Sequence, residues 1–122
     1  MTTQTRKPTQ KQIKSELFAQ INKLANEFSG ADEVYGVKGW DVERLRALRD
    51  RYATMMQYER IYRKVFNEHY TSYQEFQMHC LMENPPEWFK RMWACHMVAI
   101  GLWRGQTLEE MLEKNPEASL EA

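Results

Sequence analysis

A chain of 122 residues, 43% hydrophobic and 28% charged, is long enough to bury one real core and too apolar to be disordered. Seventeen basic residues balance seventeen acidic ones, which excludes a global field drawing the protein to nucleic acid or anionic lipid. The charge is polarised all the same, from +3 over residues 1–30 to −4 over residues 105–122.

The start, MTTQTRKPTQKQ, is polar and lacks the apolar stretch of a secretory signal. Two cysteines without such a signal point to a reducing cytoplasm and free thiols. Residues 1–8 read as a disordered tail, 9–115 as one helical domain and 116–122 as an acidic tail. Neither tail has a periodic apolar face, so trimming both is expected to spare the fold.

Thr9 and Gln12 form a capping box, and Ile13, Leu17, Ile21, Leu24 and Phe28 then recur as one stripe of an amphipathic helix. Ser29-Gly30 stops it, and GADEVYGVKGW reads as a loop. Asp41 is a suitable N-cap for a long helix over 41–69, about 43 Å at 1.5 Å per residue. Leu45, Leu48, Tyr52, Met55, Tyr62 and Phe66 mark its core face. Ser72 with Glu75 opens a short helix to about Glu83, with Tyr73, Phe76 and Cys80 on one side. Asn84-Pro85-Pro86 ends it and suits the first turn of the next helix.

That next helix, EWFKRMWACHMVAIGLWR over 87–104, carries Phe89, Met92, Trp93, His96, Ile100 and Trp103 on one face. Trp88, Cys95, Val98 and Leu102 cover much of the rest. A helix apolar nearly all round is expected to be the buried centre of its domain, with Trp93 in the core. Its most apolar run, Met92 to Trp103, is about half the ~20 residues a bilayer requires. Gly101 suggests a close helix–helix approach, and Gly105 a C-cap. Thr107 with Glu110 caps a last helix over 108–114. The fold class is therefore all-α: a single-domain bundle of four to five helices, with one long helix and a buried, Trp-rich central helix.

Chemistry is harder to find. His79-Cys80 and Cys95-His96 look like a zinc set, but adjacent helical residues diverge by ~100°, so each pair offers one ligand. No metal or cofactor is expected. Buried thiols and hydrogen-bonded histidines are the plainer reading. No nucleophile elbow, phosphate loop, dinucleotide fingerprint or HExxH is present, and no enzyme is expected; an unfamiliar small enzyme is the third reading.

The long helix offers the best candidate surface. Arg46, Arg49, Arg60, Arg63 and Lys64 fall on one flank, while Tyr58, Ile61 and Val65 widen the apolar surface on the other. Arg46–Asp50, Glu59–Arg63 and Lys64–Glu68 can pair at i,i+4. Arg49 and Arg60 have no acidic residue three or four positions away. The candidate partner-binding set is thus Arg49, Arg60, Arg63, Lys64, Tyr58 and Ile61. Eight methionines with these tyrosines and arginines suit a protein partner, with a homodimer as one form of it. The expected role is a non-enzymatic regulatory or inhibitory accessory protein, of a kind often carried by phages and plasmids, acting by stoichiometric binding. The runner-up is nucleic-acid binding by the basic, tyrosine-interleaved helix. A helix-turn-helix at HYTSYQEFQMH, read by Gln74, Gln77 and His79, is its more specific form. No membrane is expected to be involved.

Overall fold

The computed structural model describes residues 7–31 and 33–121; six of the eight residues expected as an N-terminal tail lie outside it. The protein is all-helical: α1 (Gln10–Ser29), α2 (Val42–His69), α3 (Tyr73–Leu81), α4 (Glu87–Trp103) and α5 (Leu108–Lys114), with no strand among the described residues. None of these helices is long and apolar enough to cross a membrane. The backbone forms two compact units, one ending at Tyr52 and the other starting at Ala53, so the boundary falls inside α2.

The first unit holds α1, the loop after it and the opening turns of α2. Thr9 accepts the Gln12 amide while the Gln12 side chain accepts the Thr9 amide, completing the capping box. Leu17, Ile21 and Ala25 form the buried stripe of α1. Gly30 takes the left-handed conformation (φ 76°) and returns its amide to the Asn26 carbonyl. Asn22 accepts the Val34 amide at 2.8 Å, and Arg44 lies 3.8 Å from the Trp40 ring centroid. Val37 is buried between these anchors. Asp41 caps α2 as expected, accepting the Arg44 amide at 2.8 Å.

The second unit holds the rest of the chain. Ser72 caps α3 through the Glu75 amide, but the Glu75 carboxylate turns to Thr71 rather than back to Ser72, so only half of that box forms. Thr107 caps α5 through Glu110, and Gly105 leaves α4 at φ 97°. Gly101 is the close approach its sequence suggested. A Cβ there would lie 2.5 Å from Met111 Cγ and Cε and nearer still to Sδ, so α4 and α5 pack across a bare backbone.

Helix α4 is deeply buried, but not on the side its tryptophans marked. Phe89, Met92, Cys95, Val98, Ala99 and Leu102 are enclosed, whereas Trp93 is 38% exposed and Trp88 and Trp103 are half-buried. At ~100° per residue the enclosed arc centres near Cys95 and Ala99, about 100° round from the expected stripe. The cause is simple: with apolar residues on every side, periodicity could not select a face, and the small residues Ala94, Cys95, Ala99 and Gly101 allow closer packing than indoles do. Met97 and Ile100 flank Trp93 on the half-buried side.

The acidic tail also departs from expectation. Arg91 donates through Nε and Nη2 to the Ser119 carbonyl at 3.1 and 2.8 Å, and Nη2 also meets the Glu121 carbonyl. Cys95 Sγ lies 3.7 Å from the same Ser119 oxygen. The tail therefore docks on α4, because backbone carbonyls, not an apolar face, supply its anchor. Cys95 is buried and its thiol is pushed up in pKa by that burial, whereas Cys80 is exposed, against the expectation of two buried thiols. A thiol reagent at neutral pH should label Cys80 quickly and Cys95 slowly. Deleting residues 116–122 should lower the melting temperature and bring Cys95 up to a rate near that of Cys80. Unchanged melting and unchanged Cys95 protection would show that the strap contributes nothing.

Candidate protein-binding surface

Three helices of the second unit converge on an aromatic cluster. Tyr70, Phe76, Phe89 and Met92 form its buried centre, with Tyr62, Val65, Phe66 and Trp88 packed against it. All three histidines are recruited to it. His69 stacks on Trp88 at 3.8 Å, and His96 stacks on Tyr62 at 4.0 Å. His79 Nδ1 lies 2.7 Å from the Tyr70 hydroxyl. Burial raises the Tyr70 pKa to about 12, so the phenol stays protonated at neutral pH. This inward engagement removes His79 from the helix-turn-helix reading, where it was to face a base; Gln74 and Gln77 remain exposed.

The least expected residue is Glu59. Sequence spacing made it a solvated partner for Arg63, yet it is 3% exposed, the only charged residue among those described as buried. His96 Nδ1 stands 2.6 Å from its Oε1, and Arg63 Nη2 is 4.0 Å from its Oε2. A carboxylate accepts and cannot donate, so the proton between them belongs to Nδ1. The pair joins α2 to α4 and fixes the imidazole against Tyr62. Trp93 lies beside it, 5.5 Å from the His96 ring and 5.7 Å from Phe76.

Trp93 thus stands with one face on the cluster and the other in solvent. It borders a groove of about 220 Å³ lined by Pro85, Phe89, Lys90, Ala94, Asn115 and Glu117. Tyr73, in ring contact with Phe76 at 5.6 Å, continues the aromatic surface onto α3. Helix α3 buries only Phe76. Its outer side presents Tyr73, Met78 and Leu81, the last 88% exposed, and Met82 follows at its C-cap. Scattered exposed apolar residues need no explanation, but this many large ones on nine helical residues beside an exposed tryptophan make this the candidate binding surface. Tryptophan, tyrosine and methionine are the residue types enriched in interface cores.

The six residues singled out from the sequence are not brought together in this way. Arg49 belongs to the first unit, where it donates to Asp50 at 2.8 Å and to Gln20 at 2.9 Å. Asp50 is thus taken by its neighbour Arg49 and not by the expected i,i+4 residue Arg46. Tyr58 is 5% exposed, too buried to anchor a partner, because it faces the core side of α2 beside Met55 and Met56. Ile61 and Arg63 are half-buried, and Arg60 and Lys64 are exposed. The surface on α3 went unnoticed because Met78 and Leu81 broke the expected Tyr73–Phe76–Cys80 stripe. A mismatch between apolar content and stripe width was the available signal.

Among the described residues, no group of three or more His, Cys, Asp or Glu side chains is placed to hold a metal ion. Comparison with protein-family models, with characterised proteins and with solved structures finds no match to the chain.

Proposed function

We propose that this protein is a non-enzymatic regulator or inhibitor that acts in the cytoplasm by stoichiometric binding to another protein, through α3 and the Trp93 flank of α4. The observation that carries the reading is the uncovered set Tyr73, Met78, Leu81, Met82 and Trp93, five large apolar side chains on one unit of the fold. Burying a fully exposed side chain of this class is worth ~1.5–3 kcal/mol, which makes these residues the natural anchors of a complex, with the surplus over the cost of association set by how well the partner packs against them. The Glu59–His96 pair supports the same role. It holds Tyr62 and His96 beneath Trp93, so the surface is organised before the partner arrives.

The test is co-purification from the cell that makes the protein, with Leu81→Glu and Trp93→Ser beside the wild type. Leu81→Glu should leave the melting temperature within a few degrees, since that side chain is 88% exposed, and Trp93→Ser should lower it without unfolding the protein, since the indole already reaches solvent. A protein retained in equimolar amount by the wild type and lost from both variants is the expected result. A partner held equally by all three would move the binding surface elsewhere.

A further inference from the structure

The first unit carries ten basic against seven acidic residues up to position 52, and the second seven against ten. Part of that positive charge borders a recess. Helix α1 and the loop it anchors enclose a slot of about 360 Å³, lined by Phe18, Asn22 and residues 33–38. It continues into a groove of about 490 Å³ lined by Lys11, Lys14, Phe18 and Lys38. Phe18 and Lys38 belong to both. Each recess falls within the ~300–1,000 Å³ that small-molecule sites occupy.

Two features make the groove more than a solvated lysine face. Lys11 lies in the first turn of α1, where no acidic residue stands and where the helix dipole disfavours a cation, and Lys14 follows three residues on, two before Glu16. Local electrostatics is therefore set against the fold there, a conflict that a bound anion relieves. Tyr35, at the mouth of the slot, is 83% exposed on a loop that is pinned through Asn22 and Val37. An aromatic ring held in solvent by an anchored loop is placed for stacking. Glu33, the only carboxylate among the lining residues, borders the slot and not the lysine groove.

We propose that this groove binds single-stranded nucleic acid, with phosphates along Lys11, Lys14 and Lys38 and a base against Phe18 and Tyr35. An acidic peptide would satisfy the lysines but leave the aromatic rings without a planar partner. A duplex keeps its bases stacked and offers only its backbone. Unpaired bases meet both requirements, as stacking platforms beside basic grooves do generally. This surface is separate in its residues from the one on α3.

The experiment is fluorescence anisotropy of the full chain with labelled oligothymidylate and oligouridylate of about 12 nucleotides, across a series of salt concentrations. A hairpin duplex, free mononucleotide and polyglutamate serve as competitors. The strand should bind with log K falling against log salt at a slope of about −2, the value for three phosphates on a single strand. Lys14→Gln with Lys38→Gln should weaken binding tenfold or more and reduce that slope to about a third. Tyr35→Ala should weaken it about 5- to 100-fold with the slope unchanged, a stacking loss that an exposed residue can suffer without unfolding. Leu81→Glu should bind the strand like the wild type. No strand binding at low salt, variants that bind like the wild type, or equal competition by polyglutamate, duplex or mononucleotide would each overturn the proposal.

Discussion

Replacing His96 by leucine should destabilise the protein by about 3–5 kcal/mol, a large part of the stability of a domain this size. The cause is Glu59. Its carboxylate is 3% exposed and takes its 2.6 Å hydrogen bond from His96 Nδ1. Without the imidazole the carboxylate keeps Arg63, 4.0 Å from its other oxygen, and an under-compensated buried charge is costly. The stack of His96 on Tyr62 is lost as well. Removing both partners should cost far less than removing one, because an apolar pair needs no solvation. Glu59→Leu combined with His96→Leu should recover more than half of the lost stability in urea denaturation. A single His96→Leu variant as stable as the wild type would show that Glu59 reaches water.

The second large effect separates two neighbours on α4. Phe89→Ala should cost about 3–5 kcal/mol, the range for a large aromatic removed from a packed core. Phe89 belongs to the buried cluster with Tyr70, Phe76 and Met92. Trp93→Ala should cost less than Phe89→Ala although the side chain is larger, because 38% of it already faces solvent, that share contributes no burial and its removal leaves no enclosed cavity. Denaturation of the two variants under one condition gives the order directly. A Trp93→Ala loss equal to that of Phe89→Ala would return the indole to the core and remove it from the binding surface.

These two residues also show how far the sequence could be read. Helix ends were legible because they are written locally: Thr9, Asp41, Ser72 and Thr107 cap the helices that their side chains suit. Gly101 was legible because a glycine inside an apolar helix has few other uses. The face of α4 was not, since a nearly uniform apolar surface carries no periodic signal, and tertiary packing chose the small side chains. Glu59 was missed for the opposite reason. Its i,i+4 partner Arg63 gave a sufficient local explanation, and only the fold brings in His96, thirty-seven residues away. The tail was missed because its anchor lies in backbone carbonyls, which every sequence has and no pattern marks.

The most direct measurement of the central proposal is site-specific photo-crosslinking inside the producing cell. A photoreactive phenylalanine analogue replaces Leu81 on α3 in one strain and Arg60 on α2 in another; both positions are exposed. Binding through α3 and the Trp93 flank predicts one discrete protein adduct from position 81, abolished by Trp93→Ser, and none of comparable yield from position 60. An adduct from position 60 alone would contradict it and return the binding surface to the long helix.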